Sequence, residues 1–138
     1  LYGLNWNKEN IKRAKKAIIF EGEKSVMLFD SVFGKDNNIA LACCGSNISQ
    51  RQVDLLVELG VQEMIVAFDK EFQRIGDDDF YNQTRNLKSI FKKYSSKLTV
   101  SFAFDKKNLL DLKESPIDRG KDTFIELYQN RFTLGEEK

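Results

Sequence analysis

Apolar and polar residues are distributed along this chain in blocks. Four short runs are almost wholly apolar: "AIIF" (17–20), "NIALACC" (38–44), "EMIVAFD" (63–69) and "LTVSFAF" (98–104). Continuous runs of this length are typical of strands buried on both faces, whereas a half-exposed sheet reads as alternation. Between them lie stretches with helical spacing. Asn7 stands as the cap of a short basic helix through Lys16, and "EKSVMLFDSVF" (23–33) predicts a helix stopped by Gly34. Ser49 and Gln52 form a capping-box pair opening a helix that ends at Gly60. A helix from about Asp79 to Tyr94 places Phe80, Thr84, Leu87, Phe91 and Tyr94 on one face as a core stripe, with "GDDD" (76–79) as its loop and cap. A last helix, about 121–131, carries Phe124, Leu127 and Tyr128. Strands separated by helices imply right-handed crossovers. The expected fold is a Rossmann-like α/β domain with about four parallel strands between helical layers.

Composition narrows the chemistry. At 138 residues the chain reads as one domain, 1–138, able to bury roughly two-thirds of its unfolded surface, and eleven phenylalanines supply a core. Net charge is +1, from 22 basic and 21 acidic residues, so any affinity for nucleic acid must come from local patches. There is no apolar run long enough for a membrane span and no signal peptide, and no membrane partner is expected. A first residue of Leu1 rather than Met suggests a piece of something longer. Cys43 and Cys44 are adjacent, which rules out a CxxC pair; they read as small buried apolar residues in a reducing, cytoplasmic setting. The absence of histidine excludes Ser-His-Asp and Cys-His catalysis and His-based zinc sites. Chemistry here falls to carboxylates, lysines or a hard metal ion.

In parallel sheets the working crevice lies at the carboxyl ends of the strands. The first strand ends at Glu21, followed by Gly22; the second ends in "CCGSNIS"; the third delivers Asp69 and Glu71. Two residues apart in extended backbone, Asp69 and Glu71 point the same way and suit one cation held from two sides. Three carboxylates in one cleft repel unless protons or a metal neutralise them, and an all-oxygen set suits Mg²⁺ or Mn²⁺. A plainer reading also stands: Glu21 and Glu23 complement the positive end of the following helix, and acids at strand ends are where a chain meets water. Lys8, Lys12, Arg13, Lys15 and Lys16 form either a solvated helix face or a contact for a nucleic-acid backbone.

The order of these features resembles the Toprim domain, shared by topoisomerases, DnaG-type primases, small nucleases and recombination mediators. "LYGL", "AIIFEGEKSVMLF", "NIALACCGSNIS" and "EMIVAFDKE" carry the likeness over about residues 1–105, with a weaker tail to 131. The lead-in "LYGL" is most similar to primases carried by phages or prophages. The resemblance implies that Glu21 is the Toprim glutamate, acting in acid/base chemistry or metal binding. It implies that Gly22 permits the turn behind that glutamate and that Gly45 closes the second strand. Asp69 and Glu71 then match an Asp-x-Asp pair with glutamate in second place. "KESPID" is similar to the Lys-Asp-Pro-Asp element of primases, which makes Glu114 and Asp118 further metal candidates, with Asp122 competing. The family usually has an acid where this chain has Ser25, and "EFQRIGDDDF" departs from its Asp-x-Ala-Gly continuation.

The resemblance thus implies the catalytic domain of a DNA primase, a nucleotidyltransferase. It would make RNA primers on single-stranded DNA from nucleoside triphosphates with Mg²⁺ or Mn²⁺, and work with a replicative helicase. Lys106 and Lys107, or Lys12 and Lys16, would contact the template, and a zinc-binding module and basic subdomain would precede Leu1. Three alternatives stay open: a Toprim nuclease using the same carboxylates, a non-catalytic Toprim binding module, and a receiver-like phosphoacceptor, which the Glu21–Gly22 pair disfavours.

Overall fold

The apolar runs form the strands of one parallel sheet. They are β1 (Lys16–Phe20), β2 (Ala40–Ala42), β3 (Glu63–Val66) and β4 (Thr99–Phe102), in spatial order β2-β1-β3-β4. The computed structural model describes residues 1–134. Helices α1 (Leu4–Ala14), α2 (Glu23–Phe33), α3 (Gln50–Glu58), α4 (Asp78–Tyr94) and α5 (Lys121–Gln129) cover both faces. Successive strand residues point to opposite faces. Ile19, Leu41, Met64, Val66 and Phe102 pack with Ile11 and with the α3 and α4 side chains Val53, Leu56, Leu87 and Ile90. Ile18, Phe20, Ala40 and Ile65 pack with Val26 and Phe29 of α2 and Phe124 and Leu127 of α5. The expected α/β sheet between helical layers is therefore present. Among the described residues no helix is long and apolar enough to cross a membrane.

Several local expectations shift, each for a physical reason. β2, β3 and β4 are shorter than their apolar runs because pairing stops before the carboxyl ends, where the chain turns into the loops that follow. The capping box at Ser49 and Gln52 is present, and Asp77 caps α4 by accepting the Phe80 N–H at 2.7 Å. Asn7 is not a cap. Helix α1 starts after Gly3, and Asn7 is buried inside it, its Nδ2 donating to the Ala40 carbonyl at 2.8 Å. Gly3 has φ 95°, and a Cβ there would lie 3.1 Å from Val26 Cγ1, so the turn requires glycine. That turn lets Tyr2 pair antiparallel with Ala42 and close one edge of the sheet, while Phe132 pairs with Phe102 at the other. The buried face of α4 is Gln83, Leu87, Ile90 and Tyr94, with Phe80, Thr84 and Phe91 at its border. The cysteines lie past the end of β2: Cys44 is exposed with φ 60°, and Cys43 is half-buried, its Sγ 2.9 Å from the Gly45 carbonyl. Cys43 packs against the border of the core, whereas Cys44 is outside it.

The segment after β4 is anchored by a buried ion pair. Lys70, 3% exposed, donates from Nζ to Asp105 Oδ2 (3.0 Å), Asn108 Oδ1 (2.5 Å) and the Leu110 carbonyl (2.7 Å). Asp105, 4% exposed, also accepts the N–H groups of Leu109 and Leu110. Desolvation alone would raise the Asp105 pKa; those N–H groups and Lys70 overcome it and hold the carboxyl below its usual range. Asp105→Ala would leave the Lys70 ammonium buried without its counter-charge, so we expect a loss of about 3–5 kcal/mol of stability in urea denaturation, whereas Lys107→Ala at the surface changes it by less than about 0.5 kcal/mol.

Candidate functional site

Strands β1 and β3 are neighbours, so the residues following them share one rim of the sheet. Glu21 follows Phe20, and its Oε1 accepts the backbone N–H of Asp69 at 3.1 Å, tying the two strand ends together. Alternation then sorts the third strand's continuation: Lys70 turns inward to its buried partners, leaving Asp69 and Glu71 on the open side. Gln83 of α4 fixes the backbone of that stretch. Its Nε2 donates to the Asp69 carbonyl at 2.9 Å and its Oε1 accepts the Glu71 N–H at 3.0 Å. An open pocket of about 360 Å³ lies beside these groups, lined by Glu21, Ser46, Phe68, Glu71 and Gln83 among others.

The segment from Asp105 to Asp118 folds back over this rim. Backbone bonds from Lys113 N–H to the Lys70 carbonyl (2.7 Å) and from Lys70 N–H to the Glu114 carbonyl (2.9 Å) dock it beside Asp69 and Glu71. Lys113 adopts φ 72°, a left-handed conformation costing a non-glycine residue roughly 1–2 kcal/mol. Its Nζ lies 2.5 Å from Glu71 Oε2. Ser25 donates from Oγ to Ser115 Oγ at 2.7 Å, both residues buried, which joins α2 to the same loop. The position where an acid was expected is thus an uncharged structural contact.

The electrostatics follow from this crowding. Burial raises the Glu21 pKa to about 7, with repulsion from Asp69 and Glu71 adding to it. Burial also raises Asp69, to about 6, with Asp118 and then Glu71 contributing. Lys113 opposes both shifts. Cys43, near Glu21, is pushed up to about 11, chiefly by burial, and is a poor nucleophile.

The candidate residues divide accordingly. Glu21, Asp69 and Glu71 come together, and Asp118 is the loop acid whose charge reaches Asp69. Glu114 turns instead to the Asp111 N–H at 2.6 Å and Arg119 Nε at 2.7 Å. Asp122 lies in the first turn of α5. Gly22 has an ordinary φ of −117° with nothing within 4 Å of a Cβ, so the fold itself does not demand glycine there. Lys107 pairs with Glu126 at 3.1 Å, and Lys106 Nζ sits 3.8 Å from the Phe132 ring centroid. Lys12 lies 3.9 Å from Glu9, and Lys16 lies 3.9 Å from Glu63 at the amino-terminal end of the strands, opposite the acidic rim. Lys70, Gln83 and Lys113 were not singled out as site residues in the sequence. Lys70 was legible as the inward member of "DKE", and Gln83 as a polar residue at helical spacing from Leu87, Ile90 and Tyr94. Lys113 carries no such signal.

Among the described residues, no three acidic or thiol side chains converge closely enough to hold a metal ion. Glu71 is turned onto Lys113, Glu21 onto the Asp69 N–H, and Asp118 accepts the Ser115 N–H at 2.8 Å.

No family model matches the chain. It is 34% identical over 145 residues to the SPbeta prophage-derived uncharacterized protein YorJ of Bacillus subtilis (strain 168), an alignment covering 100% of this chain and 38% of that protein. The chain therefore spans little more than a third of that relative's length. Its fold is similar to that of the Aquifex aeolicus primase (zinc binding and RNA polymerase domains), with a TM-score of 0.66 and 24% identity over 98% of this chain and 30% of that one. It is also similar to the RNA polymerase domain of Mycobacterium tuberculosis primase DnaG, with a TM-score of 0.65 and 21% identity over 98% of this chain and 42% of that one. The same domain in complex with a double-stranded DNA oligomer with a 6-nucleotide overhang gives a TM-score of 0.65 at 17% identity, over 96% and 39% of the two chains. At these identities the likeness concerns the fold, which is that of primase domains.

The raised pKa of Glu21 has a direct consequence for metal-free protein. The folded state binds this proton more tightly than the unfolded chain, so stability falls as pH rises from about 4 toward about 7, and the full penalty is present above that. Glu21→Gln keeps the acceptor for the Asp69 N–H and removes the charge. In EDTA we expect it to raise the melting temperature by roughly 2–4 °C at pH 8, a range kept small because solvent screens a half-exposed group, and to change it little at pH 5.

Proposed function

We propose that this chain is a Toprim-type catalytic domain of a DNA primase of the phage or prophage kind, making RNA primers on single-stranded DNA by nucleotidyl transfer from nucleoside triphosphates. One observation carries the reading: Glu21, Asp69, Glu71 and Asp118 gather at the carboxyl-terminal rim of a sheet with the fold of primase domains. Two of these carboxyls are held above their ordinary range by burial and mutual repulsion. That a primase domain of similar fold was crystallised with DNA supports a nucleic-acid partner.

By its chemistry the donor set suits a hard divalent ion, Mg²⁺ or Mn²⁺, although its side chains would have to leave Lys113 and the backbone N–H groups they now face to converge on one. Every candidate ligand is a carboxylate oxygen, the cluster is short of positive charge, and a lysine supplies what reaches it. Asp69 and Glu71 would hold the ion, with Asp118 beside Asp69. When bound, such an ion neutralises triphosphate oxygens and stabilises the charge building on departing pyrophosphate. Glu21, with a pKa near the working pH, suits a group that accepts the proton of a primer 3′-hydroxyl. Gln83 and the Lys70–Asp105 pair keep Asp69 and Glu71 from drifting, and a reacting group misplaced by 1 Å costs about 100-fold in rate.

Ser25 favours a second reading, a non-catalytic binding module, because its buried hydrogen bond to Ser115 stands where an acid was expected. Calorimetric titration with Mg²⁺ and Mn²⁺, beside primer synthesis on single-stranded DNA, separates the two. Under the primase reading, metal binding weakens about tenfold or more in Asp69→Asn, and primer synthesis falls about 100-fold or more in Glu21→Gln. Metal-dependent cleavage of DNA without primer synthesis would assign a nuclease. No metal binding by the folded protein would leave the binding module.

A further inference from the structure

The acidic rim contains its own cation. Lys113 places its ammonium 2.5 Å from Glu71 Oε2, and its side chain is 68% exposed. The backbone is not free to withdraw it. The Lys113 N–H is bonded to the Lys70 carbonyl, the next residue's carbonyl accepts the Lys70 N–H, and Lys70 itself is locked to Asp105, Asn108 and Leu110. A lysine is thus held at φ 72° on a loop pinned across from Glu71, with Glu21 and Asp69 near enough to feel its charge. A merely solubilising lysine needs no such anchoring. An exposed ion pair of this kind contributes little stability, so the contact is cheap to exchange.

We propose that Lys113 is an exchangeable counter-ion. In the metal-free protein it occupies Glu71; a divalent cation takes Glu71 from it, and the released ammonium then binds a phosphate of the incoming polyphosphate. The proposal rests on the reading of this rim as a metal site. Its chemistry is a swap of partners: a carboxylate exchanges a lysine for a harder, more highly charged ion, and the lysine exchanges a carboxylate for a phosphate oxygen, a charge-assisted hydrogen bond of the same type. The flexible four-carbon stem accommodates the move while the backbone stays docked. It also answers how so acidic a rim admits a polyanion: each charge added to the cluster frees one that faces the substrate.

The test uses the 138-residue chain as wild type, Lys113→Met and Lys113→Arg, with Mn²⁺ alone and then tripolyphosphate added to Mn²⁺-saturated protein, both followed by calorimetry. The exchange predicts opposite signs in Lys113→Met: Mn²⁺ binds about tenfold more tightly, because its competitor is gone, and tripolyphosphate about tenfold more weakly. Lys113→Arg keeps tripolyphosphate affinity within about threefold of wild type, since guanidinium also binds phosphate. Mn²⁺ binding by Lys113→Met but not by wild type also supports the proposal. If wild type binds Mn²⁺ and Lys113→Met binds both ligands equally well, the exchange is overturned and the metal site stands. If Lys113→Met gains Mn²⁺ affinity but keeps tripolyphosphate affinity, the phosphate role is wrong and the proposal fails. If no form binds Mn²⁺, both the proposal and the metal-site reading fall.

Discussion

The buried pair between Lys70 and Asp105 is the constraint on which the candidate site depends. Lys70 stands between two acids, so the position of its ammonium decides which way those acids face. With all three of its donors satisfied inside, Asp69 and Glu71 have only the open side left. Burying an ion pair costs several kcal/mol per ion before attraction and hydrogen bonds repay it, so such a pair is better understood as fixing an arrangement than as adding net stability. Here the arrangement is the docking of residues 105–118 over the ends of β1 and β3. Lys113, Ser115 and Asp118 reach the rim through it.

Once docked, that segment makes the rim both more acidic and partly compensated. Asp118 raises Asp69, while Lys113 lowers both Asp69 and Glu21. The balance leaves two carboxyls titrating near neutrality, a condition common at working sites because one fold must both hold protons and release them. It also costs stability, which the fold offsets elsewhere through the two hydrophobic layers, the capping box of α3, the Asp77 cap of α4, and the Gln83 clamp. A phenylalanine cluster formed by Phe20, Phe29, Phe33 and Phe124 ties α2 and α5 together beneath the loop that carries Ser115 and Asp118.

The two faces of the lead-in "LYGL" show how a short motif serves architecture. Tyr2 closes the exposed edge of β2, and Gly3 allows α1 to approach Val26. An unpaired edge is an invitation to association, and a single antiparallel bridge at each side blunts it. Ser25, by contrast, stands where the resemblance implies an acid, and its hydroxyl makes a buried hydrogen bond to Ser115 instead.

The fold was legible in the sequence because it rests on short-range signals. Short continuous apolar runs are typical of strands buried on both faces, Ser49 and Gln52 cap through local hydrogen bonds, and the order of strands and helices leaves few topologies. The alignment of Glu21, Asp69 and Glu71 at one rim was legible too, since parallel strands end on the same side. Strand ends were not, because pairing stops where neighbouring strands part, which no single run records. Asn7 read as a cap because the carbonyl that draws it inside, on Ala40, lies 33 residues away. Cys44 read as buried because its run continues past the point where pairing ends. The tertiary structure alone decided what occupies the rim. Lys113 meets Glu71 across 42 residues of chain and Ser25 meets Ser115 across 90. Side chains so far apart in sequence become neighbours only when a docked loop brings them there, and that docking depends on a buried charge pair that local patterns do not encode.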